Sequence, residues 1–157
     1  MVPCTVPAIV ATIAAPMAQR ETVSVIRSHV VTTRSAASGM STLDTIACHF
    51  PELKLVGIHI GWPWVEEMIS VAYKHPNVYI GSDAYAPAYW DQKFIHFIDS
   101  WGSKKVIFGT DFPVIDPERA RSDIEKLDIR EDSKRRFLRD NVIDLYKLDL
   151  PKAGSAA

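Results

Sequence analysis

Two polar residues stand where apolar, strand-like segments end: His59 in KLVGIHI and Asp111 shortly after KVIFG. An imidazole in such a place can act as acid, base or metal ligand, and an aspartate can bind a divalent metal. In parallel α/β architectures the carboxyl ends of the strands form the active-site face. We therefore predict that His59 and Asp111 lie on one functional face. Spacing alone leaves two other interpretations open: a histidine that satisfies buried backbone groups and an aspartate that caps a turn.

Strand and helix signals alternate around these two residues. The run KLVGIHI (54–60) is almost continuously apolar, which is typical of a strand covered on both faces in a parallel sheet. Two more strands are predicted at 77–80 and 105–109. Helices are predicted from caps, proline positions and three- and four-residue apolar spacing at 41–50, 63–75, 88–101, 116–127 and from 128 or 130 to about 146. This alternation predicts an α/β fold with a parallel sheet or part of a barrel.

Chain length limits how much of a barrel can form. A complete TIM (β/α)8 barrel needs about 250 residues, and this chain has 157. Its 47% hydrophobic and 24% charged residues are typical of one globular domain. A net charge of −1 gives no electrostatic reason to expect a nucleic acid or an anionic membrane as a partner. A small-molecule substrate fits this balance better.

Several motifs occur in order along the chain: PELK at 51–54, the H-x-G-x-P-W turn at 59–64, KHPNVYI at 74–80, F-G-T-D-x-P at 108–113 and RRFLRDNVIDLYKL at 135–148. Together they resemble the C-terminal part of the amidohydrolase-related family, which includes aminocarboxymuconate-semialdehyde decarboxylase and related hydrolases, hydratases and aromatic acid decarboxylases. The resemblance covers roughly residues 42–148. It implies about the last three strand–helix units of a TIM barrel, in a metal-dependent hydrolase or carboxy-lyase.

The resemblance also implies roles for the two polar residues. His59 matches the active-site histidine of the sixth barrel strand, which activates water or polarises substrate. Asp111 matches the metal-site aspartate of the eighth strand and would contact Zn²⁺ or a similar divalent ion. A Zn²⁺-bound water reaches a pKa of about 7, which makes hydroxide available at neutral pH.

Other ligands of the family's metal are not found in the sequence. The family's first strand carries an H-x-H pair and its fifth strand another histidine, whereas no H-x-H occurs here and His29 stands in no matching motif. A catalytic metal usually needs about three protein ligands, of which Asp111 alone is matched. Two hypotheses therefore stand: part of an active enzyme, or a truncated, catalytically inactive half-barrel that acts as a pseudoenzyme or interaction subunit.

The aromatic residues Trp62, Trp64 and Tyr85 fall near the predicted loop face. They could line a substrate pocket, although core packing or the shelter of a missing subunit is at least as good an interpretation. Asp83 follows the second strand and would face the same rim, but a turn role is the simpler interpretation. Open barrel edges predict an oligomer or a partner chain that covers them.

Composition changes near residue 40. Residues 1–40 are a leader of uncertain structure, with a targeting or non-native segment as interpretations and a strand or short helix possible at 22–33. Residues 41–150 form the barrel part, and the tail 151–157 is predicted to be disordered. Cys4 and Cys48 belong to no CxxC or Cys/His ligand spacing, which favours a reduced, cytoplasmic chain, with a mitochondrial location as the alternative.

Overall fold

The computed structural model of the protein describes residues 24–26, 30–33 and 39–150, with side chains from residue 42 onward. The predictions for the first 23 residues and for the tail at 151–157 lie outside the described residues. Within the described part, no helix is long and apolar enough to cross a membrane.

Among the described residues, five strands form one sheet in chain order: β1 (Ser24–Ile26), β2 (Val30–Thr33), β3 (Lys54–Gly57), β4 (Val78–Gly81) and β5 (Val106–Ile107). β1 runs antiparallel to β2, and the other neighbours are parallel. Leu55 of β3 pairs with Val78, and Ile80 of β4 pairs with Val106. Sequential parallel strands joined by helices are the arrangement of a (β/α) barrel. The parallel part of the sheet contains the three predicted strands, which are β3, β4 and β5. It also contains β2, a strand of the segment 1–40.

The helices are α1 (Gly39–His49), α2 (Val65–Lys74), α3 (Gln92–Ile98), α4 (Pro117–Glu125), α5 (Glu131–Arg135) and α6 (Asn141–Tyr146). A π-helical turn at Arg136–Asp140 joins α5 to α6. Asp116 caps α4 as predicted, because its side chain accepts a hydrogen bond from the Arg119 amide at 2.9 Å. Asp91 caps α3 in the same way through the Lys93 amide.

Two apolar layers cover the two faces of the sheet. Alternate strand residues pack against α1 to α4 on one face, as shown by Leu55, Val78 and Val106 with Met68, Phe94 and Ile124. The opposite face holds Val56, Ile58, Tyr79 and Ile107, which pack against Val142, Leu145 and Tyr146 of the last helix. In a complete barrel this second face lines the interior. Here the chain's own C-terminal helix covers it.

Two predicted elements end or begin elsewhere. The strand predicted at 54–60 ends at Gly57, and His59–Gly61 form a 3-10 turn in which all three residues have positive φ. The helix predicted at 88–101 begins only at Gln92, after a 3-10 turn at Pro87–Tyr89, and ends at Ile98. Trp101 therefore lies beyond the end of this helix, where it is 75% exposed and packs edge-on against Tyr73.

Candidate active site

The carboxyl ends of three parallel strands place three polar residues at one edge of the sheet. His59 follows β3 by two residues, Asp83 follows β4 by two residues, and Asp111 follows β5 by four residues. Because β3, β4 and β5 run in the same direction, the segments after them meet at the same edge. This edge is the one predicted to carry function.

His59 and Asp83 are in direct contact. Nδ1 of His59 lies 3.0 Å from Oδ2 of Asp83, and the His59 amide donates to Oδ1 at 3.4 Å. Both side chains are largely buried, with 15% and 19% of their surface exposed. The short Nδ1–Oδ2 distance does not amount to a formed hydrogen bond, because a proton on Nδ1 is not aimed at the oxygen.

The backbone at His59 is unusual for its residue type. His59 has φ +58° and Ile60 has φ +52°, a left-handed conformation that costs a non-glycine residue about 1–2 kcal/mol. Asp111 adopts the same conformation with φ +53°. Such conformations cluster at functional sites, where the surrounding structure holds them. Both predicted site residues therefore lie in turns whose shape local propensity does not favour.

Two glycines leave room for the Asp83 side chain. A Cβ at Gly81 would stand 2.6 Å from Oδ1 of Asp83, and a Cβ at Gly109 would stand 3.2 Å from the Asp83 Cβ. The Ser82 side chain ties the same loops together, since the Gly109 amide donates to its hydroxyl at 3.3 Å. Glycine at positions 81 and 109 thus lets Asp83 approach His59.

The electrostatics of this edge act mainly on Asp83. Burial raises the pKa of Asp83 above that of an ordinary aspartate, attraction to His59 opposes the rise, and the charge of Asp111 adds to it. Burial, followed by the charge of Asp83, also raises the pKa of the Tyr146 hydroxyl. Tyr146 therefore lies near the same carboxylate, on the helix that covers the inner face of the sheet.

Asp111 differs from its neighbours in exposure. Its side chain is exposed, and its carbonyl accepts a hydrogen bond from the Val114 amide at 2.8 Å, which closes the turn after β5. A carboxylate at an open rim has the chemistry of a hard metal ligand. Among the described residues, the ligand atoms of His59, Asp83 and Asp111 do not all come within 4.8 Å of one another, so these three side chains do not form a closed metal-binding group by themselves.

The predicted pocket aromatics lie on this side of the fold. The rings of Trp62 and Tyr85 are 6.0 Å apart at an angle of 44°. Trp62 is 48% and Trp64 is 38% exposed, so neither belongs to the core. The Trp90 indole donates to the Tyr85 carbonyl at 2.9 Å and fixes the loop that carries Tyr85. The interpretation of Trp62 and Trp64 as core residues is therefore wrong.

Asp83 and Tyr146 are two residues of this edge that the sequence marks only weakly. Asp83 was interpreted as a turn residue, and its position two residues after a buried strand, as for His59, was the available signal. Tyr146 falls at the end of the last predicted helix. No sequence signal places it near Asp83, because that proximity depends on α6 crossing the inner face of the sheet.

Comparison with known proteins agrees with the fold and the motifs. The sequence profile of the family described as amidohydrolase matches residues 9–148. The chain belongs to the amidohydrolase family, and the resemblance predicted from the motifs is confirmed. The match begins well before residue 42 and includes β1 and β2. A search of proteins with curated functions gave no significant match.

Solved structures of similar fold include a TIM-barrel protein and two decarboxylases. An uncharacterized TIM-barrel protein from Bordetella bronchiseptica has a TM-score of 0.65 and 26% identity, covering 75% of this chain and 45% of that one. A dihydroxybenzoic acid decarboxylase from Polaromonas sp. JS666, solved with manganese and an inhibitor, has a TM-score of 0.54 and 18% identity, covering 71% and 39%. 2,6-Dihydroxybenzoate decarboxylase from Rhizobium has a TM-score of 0.52 and 20% identity, and the match covers 66% of this chain and 38% of that one. The chain spans less than half the length of each, which confirms a partial barrel.

Proposed function

We propose that this chain provides part of the active site of a metal-dependent hydrolase or carboxy-lyase that acts on a small carboxylated or cyclic substrate. The observation that carries the proposal is the buried contact between His59 and Asp83, beside Asp111, at the carboxyl edge of parallel strands. Membership of the amidohydrolase family and the decarboxylases of similar fold support this class of reaction. A perturbed carboxyl group next to a histidine is typical of functional sites.

In this proposal His59 transfers a proton to or from the substrate or water, and Asp83 positions the His59 side chain. Asp83 faces Nδ1 and the amide of His59, so it holds both the ring and the backbone of the turn. The other ring nitrogen, Nε2, is not the one that contacts this carboxylate, and it would exchange a proton with substrate or water. A carboxylate behind an imidazole also stabilises the imidazolium that forms when the proton is taken.

Asp111 would hold the metal, with Zn²⁺ as the proposed ion. When bound, a divalent ion supplies Lewis acidity toward a substrate oxygen or a water molecule. A decarboxylase of the same fold was solved with manganese, which supports a divalent ion of some kind without favouring zinc. Trp62, Trp64 and Tyr85 would line the side of the pocket with aromatic surface.

The test combines activity and an independent structural readout. The full chain, with Zn²⁺ or Mn²⁺ added, is assayed for loss of CO₂ from hydroxybenzoates and for hydrolysis of small cyclic amides. His59→Ala and Asp111→Asn should abolish any turnover, whereas His96→Ala, which removes an exposed histidine of α3, should not. If both site variants keep the wild-type rate, His59 and Asp111 do not belong to the site.

Asp83→Asn separates positioning from folding. Since the folded state holds the Asp83 proton more tightly than the unfolded chain, ionised Asp83 lowers stability as the pH rises above the ordinary aspartate pKa. The asparagine variant should therefore be at least as stable as the wild type at pH 7, while the ¹⁵N shifts of the His59 ring change. A marked loss of stability at pH 7 would contradict the proposed role.

The second candidate function is a catalytically inactive half-barrel that serves as an interaction subunit. It is favoured because the sequence contains no H-x-H pair and matches only one of the family's ligands. This candidate predicts that the chain alone turns over no substrate and holds little metal through Asp111. Metal analysis after dialysis distinguishes the two: about one tightly held ion per chain that disappears in Asp111→Asn would refute the inactive half-barrel.

We also propose that an oligomer or a partner chain covers the open sheet edges. β5 has two residues and ends the sheet, and the exposed Tyr73 and Trp101 add apolar surface on the helical side. Light scattering at micromolar concentration tests this, and a clean monomer would contradict it. A cytoplasmic location is proposed, with a mitochondrial location as the alternative, and fractionation of the producing cell decides between them.

A further inference from the structure

A second cluster of metal-binding side chains lies at the opposite end of β4. Asp44 and Cys48 belong to α1, and His75 follows the last residue of α2, three residues before β4 begins. One ligand atom from each residue lies within 4.8 Å of the others. The site proposed above follows the carboxyl ends of the strands, whereas this cluster precedes β4, so the two are separate.

The geometry of the cluster is close to that of a coordination shell. Nε2 of His75 lies 2.7 Å from Oδ1 of Asp44 and 4.0 Å from Sγ of Cys48. Ligands bound at about 2.0–2.3 Å around a tetrahedral ion stand roughly 3–4 Å from one another. Small rotations of the Asp44 and Cys48 side chains would bring the three atoms to equal distances from one ion.

The backbone already holds these residues in place. Asp44 and Cys48 are four residues apart on a helix, so their side chains share one face. The side chain of His75 is 9% exposed, and its carbonyl accepts a hydrogen bond from Lys105, so both parts of the residue are fixed. Asp44 is 33% exposed at its side chain and Cys48 is exposed, which leaves the outer side open for a water ligand.

We propose that Asp44, Cys48 and His75 form a binding site for Zn²⁺ that links α1 to the start of β4. A thiolate, an imidazole and a carboxylate are the donor types that Zn²⁺ uses, and a hard ion such as Mg²⁺ would not take the sulfur. The amino-terminal face of a TIM barrel is the face associated with stability. Zn²⁺ at this position stabilises the fold and takes no part in the reaction at the other edge.

Lys74 is the competitor for this site. Its Nζ lies 2.8 Å and 3.0 Å from the two oxygens of Asp44, and its side chain is 57% exposed. Exposed ion pairs of this kind contribute little to stability, so a bound Zn²⁺ readily replaces the ammonium group. Lys74→Ala should therefore bind Zn²⁺ more tightly than the wild type.

Co²⁺ is the probe, because a cobalt–thiolate bond gives an intense near-ultraviolet band that oxygen and nitrogen ligands do not give. The full reduced chain should develop this band on titration with Co²⁺ and lose it when Zn²⁺ is added. Cys48→Ser should abolish the band and weaken Zn²⁺ binding by more than about 100-fold. Loss of a residue that only hydrogen-bonds to a ligand weakens metal binding by about 10–100-fold, so a larger loss identifies Cys48 as a ligand. Asp44→Asn should weaken binding as well, and Zn²⁺ should raise the Tm of the wild type but not of Cys48→Ser.

Matched controls identify the ligands. Cys4→Ser removes the other cysteine of the chain, and His49→Ala removes a neighbouring histidine whose Nδ1 lies beside the Thr45 carbonyl. Both variants should keep the band. Asp111→Asn should keep it too, so failure of the proposed active site would leave this result unchanged. The proposal is overturned if the wild type shows no thiolate band, or if the band persists in Cys48→Ser.

Discussion

Asn141 offers the clearest link between a single side chain and the position of a strand that leads into the site. It is 4% exposed, and its Nδ2 donates to the Ser103 carbonyl at 2.9 Å and to the Val106 carbonyl at 2.7 Å. These bonds tie the beginning of α6 to β5, the strand that leads to Asp111. We predict that removing them destabilises the whole fold.

The expected magnitude follows from the two carbonyls. A buried acceptor left without a donor costs about 1–3 kcal/mol, and Ser103 is only half-buried, so its carbonyl regains water more easily than that of Val106. Asn141→Leu keeps the branched shape of the side chain and should cost about 2–4 kcal/mol. Asn141→Ala adds a small cavity and should cost more. The free energy of unfolding of a folded domain is only about 5–15 kcal/mol in total, so both losses are measurable.

Urea unfolding followed by circular dichroism gives the free energy of unfolding of each variant by linear extrapolation. Asp149→Asn, a change at an exposed position near the same end of the chain, is the matched control and should stay within about 0.5 kcal/mol of the wild type. If Asn141→Leu also stays within that range, the two hydrogen bonds do not hold α6 on β5. The argument for Asn141 would then fail.

Three other perturbations test separate parts of the structure. Burial, and to a smaller extent repulsion from Lys54, lowers the pKa of Lys105 to about 8, so the folded state releases this proton at a lower pH than the unfolded chain does. The free energy of unfolding of the wild type, measured in urea, should therefore rise relative to that of Lys105→Met between about pH 8 and 10.5. If it does not rise, the Lys105 side chain is not buried. Gly81→Ala places a Cβ 2.6 Å from the Asp83 carboxylate and should change the NMR shifts of the His59 ring. The control is Gly102→Ala, whose Cβ meets Phe97 instead and should leave the shifts of the His59 ring unchanged. Lys147 has φ +52° at the end of α6, so Lys147→Gly should raise the free energy of unfolding by about 0.5–1 kcal/mol, and a decrease would contradict this.

The sequence predicts the strands and helices of the outer layer well, because each carries its own local signal. The cap at Asp116 with Pro117 marks the start of α4, and the continuous apolar run after Lys54 marks β3. The turn at His59 is not predictable in this way. A run such as GIHI favours an extended strand, and only the tertiary structure holds His59 and Ile60 at positive φ.

Contacts between distant segments account for the rest. The pairing of His59 with Asp83 joins residues 24 positions apart, and the Asp44–His75 contact joins residues 31 positions apart. Spacing rules detect ligands on one helix, such as Asp44 and Cys48, but give no hint of a histidine that reaches them from the next βα unit. The packing of Leu145 on Val56 is equally non-local. Residues at strand ends can therefore be predicted from the sequence, whereas their partners in space cannot.

Asp83 lowers the stability of the fold at neutral pH, and this loss is the strongest structural argument that the edge after β3, β4 and β5 serves a function. A buried carboxyl group whose pKa is raised makes the folded state less stable at neutral pH than a neutral side chain would. Gly81 and Gly109 add to that cost, since glycine contributes no packing and loses more conformational freedom on folding. Stability alone would favour a neutral residue at 83 and larger residues at 81 and 109. A histidine held by a buried carboxylate, in a turn with left-handed backbone, is the arrangement expected where proton transfer rather than stability determines the residues.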